Sequence, residues 1–247
     1  MKILPLSEGA FTIDKTKVFK PFDLNTDDLQ LRPPGSLLVE IQPFLVITSR
    51  DVILIDTGLG FHDANGASYL QQNMAKHGVN PGDVTKILIS HLHKDHAGGI
   101  CYNKNIGGEN IPAFSNAKYY INRQEFTYAL EKGSPSYHPE DFESLLTNNN
   151  LILLDGNGLI DDYIKYEVTG AHSPFHQVFW IIEDGQKLFF GGDVAPQLQQ
   201  MKSRFVAKYD FDGKKSMELR QQWWNQGIIE HWTFLFYHDI RNPITKL

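Results

Sequence analysis

The sequence predicts an α/β protein in which helices cover β-sheets. Along the chain, pairs of apolar segments that resemble hairpins mix with strand–helix units, an order typical of sheets covered by helices. The 247 residues are enough to bury a large core. The turn-rich breaks, such as "LRPPGS" at 31–36, are too short to be flexible linkers. We therefore expect one domain over residues 1–247.

The individual elements follow from local composition. Segments 36–48 and 51–56 are rich in β-branched and aliphatic residues, and we expect them to pair as a hairpin. Residues 67–78 favour a helix that ends at Gly78, a common helix stop. A second hairpin is predicted around the Asp184–Gly185 turn, between "QVFWIIED" and "QKLFFGGD". Further strands are predicted at 86–90, 118–122, 151–154, 163–169 and 233–239, and further helices at 123–132 and 214–226.

Composition narrows the classes of partner. The net charge is −6 and lysine and arginine do not cluster, so we expect no nucleic-acid partner, because phosphate binding needs grouped cations. No apolar run approaches the length of a membrane span, so no membrane partner is expected. The single cysteine, Cys101, cannot form an internal disulfide. The N-terminal apolar run is broken by Pro5 and is too short for the apolar core of a signal peptide. These features predict a cytoplasmic protein.

The segment "SHLHKDHAGG" at 90–99 carries the strongest functional signal. It follows the predicted strand 86–90, and loops at strand ends are where sheets present functional groups. Imidazole nitrogens and carboxylates are ligands for zinc and other first-row divalent ions. Alternation places His91 and His93 on one side, while Asp95 and His96 come from the following turn. The loop therefore predicts two pairs of ligands, directed at two adjacent metal ions.

Three other ligand-type residues each follow an apolar strand. His172 follows the strand 163–169, Asp193 follows "KLFF", and His238 ends the last predicted strand. A lone histidine at such a position is often only a packed or capping residue, but three such positions favour a common role. A carboxylate such as that of Asp193 can bridge two cations with its two oxygens. The expected cofactors are therefore two divalent ions, with zinc favoured and iron, manganese or cobalt as alternatives.

These motifs resemble the metallo-β-lactamase superfamily. The similar segments are "SHLHKDHAGG", the upstream "VILIDTGLG", "TGAHSPFHQ", "FFGGDV" and "FLFYHD". The resemblance implies an αββα four-layer sandwich with the metals at one edge of the two sheets. It implies that Asp193 bridges the ions, that Asp56 orients the ligand loop of residues 90–99, and that His176 is a supporting hydrogen-bond residue. The alternative for Asp56 is an aspartate of the turn at the end of a strand. By resemblance, one ion is held by His91, His93 and His172, and the other by Asp95, His96 and His238.

Within the superfamily, the chain looks closest to the compact hydrolases. These include N-acyl-homoserine lactonases and organophosphate or aryl-ester hydrolases. Flavo-diiron members carry a glutamate where His93 stands, and nucleic-acid-processing members have a large inserted domain that has no counterpart here. One departure is clear: the lactonases carry a tyrosine that helps bind the carbonyl where this chain has Pro196.

The function expected from these residues is metal-dependent hydrolysis of an ester, lactone or related bond in a small-molecule substrate. A hydroxide between the two ions would attack the scissile carbonyl, and Asp95 would pass a proton to the leaving group. One alternative is a persulfide dioxygenase with a single iron, held by residues of the His91, His172 and Asp193 type. An organophosphate or aryl-ester hydrolase is a second alternative, and a non-catalytic metal-binding or sensing module is a third.

Two groups of aromatic residues have less specific interpretations. "QQWWNQ" at 221–226 indicates either a core face or a contact in a homodimer. Phe11, Phe19 and Phe22 lie in an N-terminal segment with few regular signals. One interpretation is that they lie over the metal edge as a substrate lid.

Overall fold

Two six-stranded β-sheets form the centre of the computed structural model, which describes residues 1–103 and 110–247. The strands are, in chain order, β1 Lys2–Pro5, β2 Gly9–Ile13, β3 Lys20–Pro21, β4 Leu37–Ile41, β5 Phe44–Ile47, β6 Val52–Ile55, β7 Lys86–Leu88, β8 Cys101–Asn103, β9 Asn110–Pro112, β10 Lys118–Asn122, β11 Leu151–Leu154, β12 Gly158–Ile160, β13 Ile164–Val168, β14 Gln177–Glu183, β15 Gln186–Phe190, β16 Thr233–Leu235 and β17 Ile244–Lys246. The first sheet has the order β1-β5-β6-β7-β10-β11, and the second sheet runs in sequence from β12 to β17.

Helices lie on the outer faces of both sheets. The α-helices are α1 Tyr69–Lys76, α2 Lys94–Ala97, α3 Arg123–Lys132, α4 Leu198–Met201 and α5 Gly213–Glu230. Short 3₁₀ helices occur at Leu29–Leu31, Pro81–Asp83, Pro139–Asp141, Glu143–Thr147 and Gly192–Val194. The smaller sheets are β3-β2-β4 and β8-β9.

Three apolar clusters join these layers. The central cluster contains Phe44 and Ile55 of the first sheet and Phe179 and Phe190 of the second, so the two sheets pack face to face. A second cluster packs α1 and α3 on the outer face of the first sheet, and a third packs α5 on the outer face of the second. The order of layers is helix, sheet, sheet, helix, so the predicted αββα sandwich is confirmed.

Most of the predicted elements are present at nearly the predicted positions. The helix 123–132 and the strands 118–122 and 151–154 have the predicted bounds. The second hairpin forms around Asp184 and Gly185, both at positive φ, as its turn type requires. In contrast, α5 extends four residues past the predicted end at Gln226 and finishes at Glu230.

The segment 36–48 was predicted as one strand of a hairpin, and this was wrong. It contains two strands that belong to different sheets, since β4 pairs with β2 and only β5 pairs with β6. The break falls at Gln42–Pro43, because proline has no N–H to continue a ladder. The last predicted strand is also too long: β16 ends at Leu235, and β17 follows it.

The direction of the strands brings their ends to one edge. Strands β6, β7, β10 and β11 are parallel neighbours, so the segments that follow them emerge on the same side of the first sheet. In the second sheet, β15 and β16 are also parallel. The "SHLHKDHAGG" segment follows β7, and the segments that carry His172, Asp193 and His238 follow β13, β15 and β16.

The ligand loop, residues 90–99, packs tightly against the segment that follows β6. A Cβ on Gly98 would lie 2.4 Å from the carbonyl oxygen of Leu59, and one on Gly99 would lie 2.3 Å from that of Thr57. Both distances are far below van der Waals contact, so only glycine fits at these two positions. Within residues 1–103 and 110–247, no helix is long and apolar enough to cross a bilayer.

Candidate metal centre

The seven predicted ligand residues come together in two adjacent groups. In each group, one potential ligand atom from every residue lies within 4.8 Å of the others. The first group is His91, His93, His172 and Asp193, and the second is Asp95, His96 and His238. The structure thus combines residues from four separate segments of the chain at one edge of the sandwich.

In the first group, the imidazole nitrogens converge on one point. His93 Nδ1 lies 2.9 Å from His91 Nε2 and 3.2 Å from His172 Nε2. The Asp193 carboxylate completes the group, with Oδ2 at 3.3 Å from His172 Nε2. Ligands bound about 2.0 Å from one tetrahedral zinc ion lie about 3.3 Å apart. The spacing of these atoms therefore fits a shared cation.

The second group shares Asp193 with the first. Asp193 Oδ1 lies 3.1 Å from His96 Nε2 and 3.0 Å from His238 Nε2. Asp95 Oδ2 lies 3.7 Å from the same nitrogen of His96 and 3.6 Å from that of His238. The two oxygens of Asp193 therefore face different groups, as a bridging carboxylate requires.

Unpartnered buried atoms also fit a metal at this position. His96 Nε2 and Asp193 Oδ1 are fully buried, yet within the described part of the chain neither is aligned with a hydrogen-bond partner. Leaving such groups unpaired costs about 1–3 kcal/mol each. A cation would satisfy both atoms, and the set of nitrogen and carboxylate donors suits zinc, iron, manganese or cobalt.

Hydrogen bonds fix three of the imidazoles with Nε2 toward the centre. The Nδ1–H of His96 donates to Asp56 Oδ2 at 2.7 Å, and that of His172 donates to Asp210 Oδ1 at 2.8 Å. The Nδ1–H of His238 donates to the carbonyl oxygen of Glu40 at 2.7 Å. This is the arrangement expected around metal-binding histidines, because the partner sets the tautomer and orients the ring.

The charge states of His91, His93 and Asp193 suit metal binding. Burial lowers the pKa of His91 and His93 well below the usual range, so both are neutral at pH 7, the form that ligates. Burial alone would raise the pKa of Asp193, but the neighbouring His238, His96 and His172 hold it well below the usual range. The Asp193 carboxylate is therefore ionised.

Asp56 and His176 lie where the resemblance implied. Asp56 is buried and accepts hydrogen bonds from the backbone N–H and the hydroxyl of Ser90 as well as from His96, so it holds both ends of the ligand loop. His176 Nε2 accepts a hydrogen bond from the backbone N–H of Asp193 at 3.2 Å. His176 thus contacts Asp193 without belonging to either donor group.

Two contributors were missed in the sequence. Glu125 of α3 is completely buried, and its carboxylate accepts from the backbone N–H of Leu92 and from the Ser173 hydroxyl, both at 3.0 Å. It therefore joins the loop of the first sheet to the His172 loop of the second. The second missed residue is Asp210, which accepts a hydrogen bond from His172. The sequence did not indicate either residue, because Glu125 lies in a helix rich in polar residues and Asp210 does not follow a strand.

A cavity of about 780 Å³ opens onto both donor groups. Its wall includes His93, Asp95, His172, Asp193 and His238, together with the apolar residues Phe19, Leu37, Val39, Pro196 and Phe211. Of the three phenylalanines considered as a lid, only Phe19 lines the cavity. Phe11 is in the central core, with its ring 6.2 Å from that of Phe19.

Residues 40–222 match the family model described as the metallo-beta-lactamase superfamily. The chain belongs to this superfamily. The match covers "SHLHKDHAGG", His172 and Asp193, and His238 lies beyond its end. The resemblance noted in the motifs is therefore confirmed.

Several known proteins are similar to this chain. An N-acyl homoserine lactonase of Bacillus thuringiensis is 28% identical over 170 residues, which are 60% of this chain and 61% of that protein. The chain thus spans about three-fifths of the length of the curated relatives it matches. A probable metal-dependent hydrolase from Staphylococcus aureus superposes with a TM-score of 0.80 at 22% identity, covering 99% of this chain and 91% of the other. AidC, a dizinc quorum-quenching lactonase in complex with a product, superposes with a TM-score of 0.69 at 20% identity, covering 99% and 89%. These structural similarities show a shared fold.

Proposed function

We propose that this protein is a hydrolase with two metal ions that cleaves an ester, lactone or related bond of a small molecule. The observation that carries the proposal is the position of Asp193, whose two oxygens face two separate groups of donors. Such an arrangement suits a pair of ions and has no evident role for a single one. Zinc is the ion that we expect in both positions.

When bound, two divalent ions would lower the pKa of a water between them, supply hydroxide near neutral pH and polarise a carbonyl oxygen. The residues of the chain then have three tasks. The imidazoles, which ligate a metal in their neutral form, and the ionised Asp193 would hold the two positive charges close together. Asp56, Asp210 and the Glu40 carbonyl keep the rings of three histidines in the required tautomer. Asp95, which lines the cavity, would receive a proton at its carboxylate and pass it to the leaving-group oxygen.

Two findings support an ester or lactone as substrate. The curated relatives that the chain matches are named N-acyl homoserine lactonases. The cavity has apolar walls beside the donors, which suits a substrate with an aliphatic or aromatic part. Pro196 lines this cavity where the lactonases carry a tyrosine, so aryl esters and organophosphates stay as alternative substrate classes.

A dioxygenase and a sensing module are less well supported by the site. A dioxygenase with a single iron would have no use for the second donor group of Asp95, His96 and His238. A sensing module would have no need of a cavity of about 780 Å³ that ends at the donors. Activity against a panel of lactones, aryl esters, lactams and phosphotriesters, measured with and without a chelator, identifies the substrate class.

The decisive variant is Asp193→Asn, because an amide presents only one oxygen to the two groups. We expect close to two ions per chain in the wild type and the loss of at least one in the variant, measured by elemental analysis. Turnover of the best substrate in the panel should fall about a hundredfold or more, because charge stabilisation of several kcal/mol is lost. Asp184→Asn is the matched control, since Asp184 is exposed at a turn and asparagine tolerates its positive φ of 50°. Full turnover with two ions in Asp193→Asn would disprove the proposal.

A further inference from the structure

Five lysines line the cavity over the donor groups, although the chain as a whole has a net charge of −6. They come from four segments that are distant in sequence, and they are Lys15, Lys17, Lys94, Lys132 and Lys208. Apart from the donors themselves, the acidic side chains that line the cavity are Asp14 and Asp210. With the donors set aside, the lysines of the wall therefore outnumber its acidic side chains by five to two.

None of these lysines forms a close ion pair in the described part of the chain. None of the five ammonium groups lies within 4.0 Å of a carboxylate, whereas Lys86, Lys165 and Lys187 each form an ion pair elsewhere. The two acidic residues of the wall are already engaged. Asp14 accepts from the backbone N–H and the hydroxyl of Thr16, and Asp210 accepts from His172. The positive charge of the wall is thus available to a ligand.

Lys17 and Lys94 are the two lysines best placed to bind one. Both are half-buried, so their charges are less screened by solvent than those of Lys15, Lys132 and Lys208, which are exposed. Lys94 stands between two donor residues in sequence, and its Nζ lies 5.8 Å from the centre of the Phe19 ring. Lys17 lies two residues before Phe19, in a turn where it adopts a positive φ of 59°.

The turn that contains Lys17 has a defined conformation. A positive φ is costly for a residue with a long side chain, and glycine or asparagine would adopt it more easily. The turn is closed by the Lys17 N–H, which donates to the carbonyl oxygen of Asp14 at 3.0 Å. In this conformation the turn contributes Asp14, Lys15 and Lys17 to the cavity wall.

We infer that the substrate carries a negatively charged group, a carboxylate or a phosphate, in addition to the bond that is cleaved, and that Lys17 and Lys94 bind it. This inference rests on the proposed hydrolase function and adds the charge of the substrate. The neighbouring apolar side chains of Phe19, Leu37 and Val39 displace water and strengthen the attraction. A neutral acyl chain would use the apolar wall and leave the ammonium groups without a partner.

The test compares substrates that differ only in a terminal charge. N-hexanoyl-homoserine lactone and N-adipoyl-homoserine lactone have acyl chains of equal length, and only the second ends in a carboxylate; a matched pair of aryl esters covers the ester class. We expect kcat/KM to be about tenfold or more higher for the charged member, the size of a charge-assisted contact. This preference should shrink as the salt concentration rises. An equal or higher kcat/KM for the neutral member would overturn the inference.

A double variant assigns the preference to the two lysines. In Lys17→Gln/Lys94→Gln, the ratio of kcat/KM between the charged and neutral substrates should fall about tenfold. Lys118→Gln is the matched control, because Lys118 is an exposed lysine at the start of β10, outside the residues that line the cavity. The control should keep the wild-type ratio, and a double variant that also keeps it would overturn the inference.

A binding measurement separates this inference from the proposed hydrolysis. Adipic acid monoamide and hexanamide are titrated into the metal-free protein by calorimetry, and the monoester of phosphate with hexanol tests the second anion. Binding of an anion that is lost in the lysine double variant supports the inference even if no substrate of the panel is cleaved. The tighter of the two anions distinguishes carboxylate from phosphate. Binding of neither anion would overturn the inference, whatever the outcome of the hydrolysis assays.

Discussion

The two sheets contribute to the donor groups in different ways. The first sheet supplies His91, His93, Asp95 and His96 from one loop after β7. The second sheet supplies His172, Asp193 and His238 singly, from three segments that follow three different strands. The first set depends on the local conformation of ten residues, and the second depends on the register of a whole sheet.

The supporting contacts follow the same division. In the first sheet, one buried carboxylate, Asp56, holds Ser90 and His96 and so fixes the loop at two points. In the second sheet each histidine has its own partner, Asp210 for His172 and the Glu40 carbonyl for His238. One lost contact should therefore disturb several donors on the first side and a single donor on the second.

The largest effect is expected for Asp56→Ala. The change leaves the Ser90 N–H, the Ser90 hydroxyl and the His96 Nδ1–H without their acceptor in a fully buried position. We expect the free energy of unfolding to fall by about 3–5 kcal/mol, because three buried donors lose their acceptor and each costs about 1–3 kcal/mol. Urea unfolding measures this change. A decrease of less than about 1 kcal/mol would show that other contacts hold the loop.

Asp56→Asn tests whether Asp56 sets the tautomer of His96. Asparagine tolerates the positive φ of 54° at this position and keeps the shape of the side chain. Its amide group would donate toward His96 Nδ1 and favour the tautomer with the proton on Nε2, which cannot bind a metal. We expect a folded protein that loses the ion of the second group, measured by elemental analysis. Retention of both ions would show that the tautomer of His96 is set elsewhere.

Glu125→Ala tests the contact between the two sides. It removes the acceptor of Leu92 N–H on the first side and of the Ser173 hydroxyl on the second. We expect the free energy of unfolding to fall by about 1–3 kcal/mol, because a buried N–H loses its partner. In Glu125→Gln, the amide oxygen still accepts from Leu92 and the amide group donates to Ser173, so most of the stability should return. Equal losses in both variants would argue against this role.

We expect the smallest effect on stability for Asp210→Ala, because Asp210 supports only one histidine of the second sheet. His172 loses the acceptor of its Nδ1–H, and we expect the affinity of the first group for its ion to fall about 10–100-fold. Competition with a chromogenic chelator measures this affinity. The second group should keep its ion, and loss of both ions would contradict the independence of the donors on this side.

The extent to which the sequence predicts the structure follows the same division. The four donors of the loop stand together in ten residues, so their grouping into two pairs was visible directly. His172, Asp193 and His238 were predicted because each follows an apolar strand, and parallel strands end at a common edge. A histidine or aspartate directly after an apolar strand is therefore enough to predict a donor, because the end of the strand positions its side chain.

What the sequence did not predict depends on contacts between distant segments. Glu125 is a charged residue in a helix with many polar side chains, and only the packed structure shows that it is buried beneath the ligand loop. The lysines of the cavity come from separate segments that have no common motif. Strand β1 was missed because the short run 2–5 ends in a proline, and its pairing with β5 is a long-range contact.

The glycines of the ligand loop limit which of its positions can accept a substitution. Gly98 and Gly99 face carbonyl oxygens of Leu59 and Thr57 at distances that admit no side chain, so the back of the loop cannot vary. Lys94, in the same loop, faces the cavity, where a different side chain can be accommodated. A single loop thus combines two positions that admit only glycine with one position that faces the cavity. On the proposed function, we expect a substitution at Lys94 to change substrate selectivity while the seven donors stay in place.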